Sequence, residues 1–156
     1  MDKIASFQKD HNALCPGLYF STRICGVETY DLRFKKPNAG DYIQNAALHS
    51  IEHMLATVLR NGPHKDKIVY FGPMGCRTGF YLLTAGLDYR TVLSMLKDAF
   101  AQSLALDGVP GAEKSECGNY AEHDLNGAKR EIRAYLALLE SIGEDEIAKE
   151  EEKENA

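Results

Sequence analysis

The stretch "HSIEHMLAT" (residues 49–57) sets His49, Glu52 and His53 inside an otherwise apolar run. On a helix, residues three and four apart share a face, so the two imidazoles can reach one ion with Glu52 beside them. H-x-x-E-H is also the ligand order of the inverted zinc peptidases. Two chance histidines on a solvated face would give the same spacing. Here, however, Ala46, Ala47, Leu48, Ile51, Met54, Leu55 and Ala56 surround them, and a freely exposed face would not be so apolar. The pattern therefore favours a metal site.

A catalytic metal usually keeps three protein ligands and one open position, so a third donor must come from elsewhere. Cys117, in "SECGNY", is a loop cysteine followed by Gly118, and its thiolate would suit zinc or ferrous iron. It reads equally well as a small buried residue. His123 is a rival donor that could also be a surface side chain. Cys76 lies between glycines in "GPMGCRTG", where small neighbours leave the thiol accessible. Arg77 or a nearby metal could favour its thiolate, and a poised thiolate serves as nucleophile or acid/base group. A structural turn cysteine is the alternative. Cys15 and Cys25 read as packing residues. Ser6, Asp10 and His11 lie in a polar N-terminal segment, and Arg33 ends a strand, where it could hold a carboxylate or hydroxyl-rich substrate or form an ion pair.

The elements that must position these groups are legible in outline. "LYFSTRICGVETYDLRF" (18–34) reads as two strands joined by a turn at Cys25 and Gly26. Residues 43–60 read as an amphipathic helix, with Asp41 its N-cap and Asn61-Gly62-Pro63 its stop. Strands are expected at 67–74 and 78–86, a helix at 89–106, a loop at 107–119 and a third helix at 121–142. The tail from residue 143 is highly charged and nearly free of apolar anchors, so frayed helix or disorder is expected there.

At 156 residues, 44% of them hydrophobic, the chain fits one compact domain with a proper core. A net charge of −5 without a Lys/Arg stripe argues against nucleic acid, and no apolar run reaches membrane-spanning length. The N-terminus lacks a secretory pattern, so the expected compartment is the cytoplasm, where the four cysteines would be thiols or ligands.

Taken in order, "SFQKDHN", "DLRFKKPN", "HSIEHMLAT", "GPMGCRTGFYL" and "ECGNYAEHDLNGAKR" resemble the S-ribosylhomocysteine lyase (LuxS) family. The resemblance spans most of the chain except the acidic tail. It implies an α+β fold, a largely antiparallel sheet with helices packed on one face, with residues 1–142 as the catalytic domain and 143–156 as the tail. It implies metal ligation by His49, His53 and Cys117, with one Fe(2+) per subunit and zinc or cobalt as substitutes. Cys76 and Glu52 would be the acid/base pair, and Ser6, His11 and Arg33 the substrate contacts. The implied reaction cleaves S-ribosylhomocysteine to homocysteine and 4,5-dihydroxy-2,3-pentanedione, precursor of autoinducer-2. The implied assembly is a homodimer with active sites at the interface, the N-terminal segment serving the other copy. One departure stands out: family members often read "DISPMGC" where this chain has "YFGPMGC", which places Tyr70 and Gly72 near the expected amino-acid end of the substrate. Two other classes fit parts of the pattern. A small metallopeptidase would use Glu52 to activate water but has no need of Cys76. A non-catalytic zinc module would have a closed four-ligand site.

Overall fold

The computed structural model describes residues 1–156. Strands β1 (Gly17–Ile24), β2 (Val27–Arg33), β3 (Ile68–Pro73) and β4 (Gly79–Ala85) form one antiparallel sheet in the order β1-β2-β4-β3. The β1–β2 hairpin turns on Cys25 and Gly26 at φ 52° and 76°. Positive φ at both central residues matches the right-handed twist of the flanking strands.

Alternation sets the two faces of the sheet. Tyr30, Leu32, Phe71, Phe80 and Leu82 point into the core with Leu18. Helices α2 (Asn45–Arg60), α3 (Tyr89–Leu104) and α4 (Leu125–Ser141) cover that face with Ile51, Leu55, Leu96, Phe100, Ile132 and Leu139. The short α1 (Ala5–Gln8) buries nothing of its own. On the opposite face Asp31 and Arg33 form a buried ion pair at 2.7 Å, which Lys9 of the N-terminal segment joins at 3.3 Å. No helix is long and apolar enough to cross a membrane.

Three expectations need correction. The first concerns the tail, which is helix α5 (Glu144–Asn155) rather than frayed or disordered chain. Its one buried apolar anchor is Ile147, and two of its glutamates are buried with it. Glu150 accepts the Phe20 N–H at 2.8 Å, while Glu154 accepts the Tyr89 N–H at 2.9 Å and lies 2.7 Å from the Tyr30 hydroxyl. Carboxylates matched to strand-edge and helix-end donors replace the missing apolar stripe. Stranding such buried donors would cost about 1–3 kcal/mol each. Burial, reinforced by Glu154, raises the Tyr30 phenol above its ordinary range, so it stays a neutral donor.

The second correction is to the cap of α2. That helix begins at Asn45, and Asp41 pairs with Lys35 at 3.2 Å instead. Ile43 is fully buried and its N–H bonds to the Arg77 carbonyl, which keeps residues 41–44 extended. The third is to Cys15 and Cys25, which are exposed rather than packed.

Candidate active site

Helix α2 presents His49, Glu52 and His53 on one side because its other side is committed to the core through Ala47, Ile51, Met54 and Leu55. Each histidine has its Nδ1 proton assigned by a fixed acceptor. His49 Nδ1–H donates to the Glu122 carbonyl at 2.8 Å and His53 Nδ1–H to the Pro110 carbonyl at 3.0 Å. Gly111, at φ 66°, lets that loop pass close to His53.

Helix α4 starts at Leu125, with Asp124 as its cap accepting the Gly127 N–H at 2.8 Å. His123 therefore precedes the helix instead of riding on it, and its ring turns toward α2. The buried Ser50 hydroxyl spends its only proton on the Ala46 carbonyl at 2.9 Å, so the bond to His123 Nδ1 at 3.1 Å must run from the imidazole to the serine. Ser50 also accepts the Asp124 N–H at 2.8 Å. One serine thus fixes the His123 tautomer and the start of α4. Burial, with His49 and His53 as neighbours, lowers the His123 pKa below the usual imidazole value, while Glu122 opposes the shift.

All three Nε2 lone pairs consequently face Cys117 Sγ, at 3.5 Å for His49, 3.9 Å for His53 and 3.7 Å for His123. The four donor atoms lie within 4.8 Å of one another. Tetrahedral Zn–N and Zn–S bonds separate the nitrogen and sulfur donors by about 3.6 Å, so the spacing fits one first-row ion. A tight turn holds the cysteine through the Cys117 N–H bond to the Glu113 carbonyl at 3.0 Å. The Asn119 N–H reaches its sulfur at 3.4 Å. Fixed tautomers supported by outer partners are what a metal site needs.

The other candidate residues gather elsewhere. Ser6, His11, Arg33 and Cys76 line one recess of about 460 Å³ with Thr78 and Tyr81. Glu52 opens instead on a shallower recess with His49, Asn119 and Glu122. Pro73, at the end of β3, borders both. Arg33 lines its recess but is only 2% exposed. Its guanidinium grips Asp31 through Nε at 3.1 Å and Nη2 at 2.7 Å, and its Nη1 donates to Thr78 Oγ1 at 2.7 Å. Thr78 Oγ1 in turn lies 3.0 Å from Cys76 Sγ. With a lone pair of Thr78 taken by Arg33, its hydroxyl proton is free to meet the sulfur. Arg77 was the expected electrostatic neighbour of Cys76, but its Nη1 donates to the Ile43 carbonyl at 3.3 Å.

Sequence reasoning missed Ser50 and Thr78. Both sit inside motifs already singled out, and a hydroxyl one or two residues from a candidate ligand or thiol was the available signal. Thr78→Val should lower kcat about tenfold with metal content unchanged, whereas Thr78→Ser should stay within about twofold of wild type, since a single hydrogen bond to a charged group is worth this much. Equal loss in both variants would make Thr78 a packing residue only.

Comparison with known proteins agrees with this geometry. The S-ribosylhomocysteinase (LuxS) family matches residues 4–146. The chain is 44% identical over 154 residues to an S-ribosylhomocysteine lyase of Borreliella afzelii, covering 94% of this chain and 98% of that protein. It is 41% identical over 155 residues to one of Clostridium acetobutylicum, with the same coverage. Against one of Phocaeicola vulgatus it is 44% identical over 155 residues, 94% of this chain and 96% of the relative. A match of this length and identity, over a fold that converges three imidazoles and a thiolate, makes the chain a member of the LuxS family of S-ribosylhomocysteine lyases.

Proposed function

We infer that this chain cleaves S-ribosylhomocysteine to homocysteine and 4,5-dihydroxy-2,3-pentanedione, the autoinducer-2 precursor. The observation that carries this reading is the convergence of fixed Nε2 lone pairs on Cys117 at first-row metal spacing. His49, His53 and Cys117 are the proposed ligands. Two imidazoles radiating tetrahedrally from one ion hold their ring centres about 5 Å apart. His49 and His53 sit edge-to-face at 4.7 Å, whereas His123 lies stacked on His49 at 4.0 Å. His53 and His123 are likewise edge-to-face at 4.8 Å, so the spacing excludes only His49 and His123 as joint ligands. The resemblance to the LuxS family assigns His49 as the ligand and His123 as a neighbour of the open position, which argues against a closed zinc module. Thiolate and imidazole donors accommodate ferrous iron, the proposed native ion at one per subunit, and also zinc or cobalt. Bound there, the ion supplies a Lewis acid beside the sugar oxygens.

The chemistry explains the remaining residues. β-Elimination of the C5–S bond needs a carbonyl at C3, but the ribose carbonyl starts at C1. Two successive 1,2-shifts through enediols must carry it to C2 and then C3. Each shift takes a proton from one carbon and returns one to its neighbour. The last step removes the C4 proton, breaks C5–S with the electron pair leaving on sulfur, and protonates that thiolate. Products and substrate have the same atoms, so no water or oxidant is consumed. Cys76 and Glu52 are assigned as the groups that take and return these protons. The Thr78 hydroxyl orients Cys76, while Ser6, His11 and Arg33 shape the recess that receives the substrate.

Cys76 and Glu52 open on different recesses of one chain, yet both must reach one sugar. A homodimer that sets the Cys76 recess of one copy against the metal recess of the other resolves this. The exposed Ile4 and Phe7 beside the Cys76 recess supply apolar surface for such a contact. Residues 1–142 form the proposed catalytic unit, with α5 as its brace. The proposed compartment is the cytoplasm, where the four free thiols and a ferrous site would stay reduced.

Subunit exchange tests the arrangement. His49→Ala and Cys76→Ala are each expected to be inactive alone. Refolded together at equal amounts, they should recover about a quarter of wild-type activity, because half the dimers are mixed and each holds one intact shared site. No recovery, with exchange verified by mass, would place each site within a single chain.

A further inference from the structure

The N-terminal segment forms one wall of the Cys76 recess through Ile4, Ser6, Phe7 and His11, yet little in the segment itself holds it there. Helix α1 buries none of its residues, and Ile4 and Phe7 are 58% and 70% exposed. Among residues 1–14 the backbone bonds close within the segment, from Phe7 N–H to the Ile4 carbonyl and from Ala13 and Leu14 N–H to the Asp10 carbonyl. The side-chain bonds of Gln8, His11 and Asn12 also stay inside it. One bond leaves the segment: Lys9 Nζ donates to Asp31 Oδ2 of strand β2 at 3.3 Å.

Asp31 does not need this cation. The carboxylate is fully buried, and Arg33 already matches its charge, with Nε on Oδ1 at 3.1 Å and Nη2 on Oδ2 at 2.7 Å. A buried carboxylate held by a two-pronged guanidinium is a satisfied pair. Lys9, whose side chain is 27% exposed, adds a second cation to it, so the gain falls to the segment rather than to the sheet. The same residue also fixes His11. The Lys9 carbonyl accepts from the His11 ring at 2.9 Å, which places the proton on Nδ1 and leaves Nε2 free. Asp31 therefore stands between the two walls of the recess. Arg33 ties it to Thr78 and Cys76 on the sheet side, and Lys9 ties it to His11 on the N-terminal side.

We propose that Lys9 is a positioning residue: its ammonium clasps the buried Asp31–Arg33 pair, and this single tether docks the N-terminal segment so that Ser6 and His11 wall the substrate recess. Lys9 itself does not line the recess and takes no part in proton transfer. The role rests on the reading that this recess receives S-ribosylhomocysteine.

Hydrogen–deuterium exchange and steady-state kinetics on the metal-loaded protein test the tether. Lys9→Met keeps the stem of the side chain and removes the charge. The amides of Phe7, Ala13 and Leu14 should then exchange about fivefold faster, the effect of losing one partly screened ion pair. Substrate must then recruit an undocked segment, so KM should rise by about the same factor while kcat stays within about twofold of wild type. Lys9→Arg should restore both. Raising salt to about 1 M should move wild type toward Lys9→Met and leave that variant unchanged, since the tether is an ion pair. In an Asp31→Asn background, Lys9→Met should add nothing to exchange or KM. Unchanged exchange in Lys9→Met, no rescue by Lys9→Arg, a salt-insensitive wild type, or a fall in kcat with KM unchanged would overturn the proposal. If Asp31→Asn does not fold, the arginine rescue and the salt response decide alone. If wild type releases no thiol from S-ribosylhomocysteine, the functional reading fails instead, and the exchange series still decides the tether.

Discussion

Cys117→Ala is expected to bring bound metal from about one ion per subunit to nearly none, and thiol release with it. The thiolate is the only anionic donor among the four, and the one other donor on its loop, His123, is a neutral imidazole. Removing it leaves neutral imidazoles, whose hold on a ferrous ion is far weaker, and removing one ligand of a three-ligand site commonly abolishes retention. The informative contrast is His123→Ala. Its ring stacks on His49, so only one of the two can join His53 as a ligand, and with His49 in that role this variant should keep its metal through purification. Elemental analysis of the two proteins side by side decides the ligand set. Metal lost in His123→Ala but retained in Cys117→Ala would reverse the assignment and revive a site built from three imidazoles.

The second large effect concerns proton transfer. Cys76→Ala and Glu52→Gln should each reduce turnover by at least about a thousandfold, because each removes a proposed general acid/base group from a sequence that moves several carbon-bound protons. Both should retain full metal content. Cys76 touches Thr78 and stands in a different recess from the cluster, while Glu52 lines the recess beside His49 without being one of the converging donors. Their effects should not multiply, since a proton shuttle missing either end is already broken. Loss of metal in either variant would mean that the residue is a ligand, and the division of labour within "HSIEHMLAT" would have to be redrawn. A peptidase reading would instead make Glu52 essential and Cys76 dispensable.

How far the sequence reached can be argued from particular residues. The four strands and three long helices were legible because their side chains alternate or recur at the right period, and Cys25-Gly26 marks its hairpin. Helix α5 was not, because periodicity reports only apolar burial. Glu150 and Glu154 are buried as hydrogen-bond acceptors, and their donors lie more than sixty residues away in β1, β2 and α3. Asp41 misled for a similar reason: burial of Ile43 and its bond to the distant Arg77 carbonyl outweighed a local capping preference.

At the site, i, i+4 spacing identified His49 and His53, but it could not bring in His123. That residue joins the cluster only because Asp124 starts α4 later than composition suggests and Ser50 holds the ring. Arg33 was read as a possible substrate clamp. The fold commits its guanidinium to Asp31 and Thr78, so its influence on Cys76 passes through a threonine hydroxyl. In each case the missing information was a tertiary hydrogen bond, which no single-chain pattern encodes.

The central claim is metal-dependent carbon–sulfur cleavage, and thiol release tests it most directly. Freshly reduced, iron-loaded protein should liberate one homocysteine thiol per S-ribosylhomocysteine consumed. Activity should vanish on treatment with a chelator and return on adding ferrous iron or cobalt. Absence of thiol release by fully loaded protein, or release that persists undiminished after the metal is removed, would contradict the account.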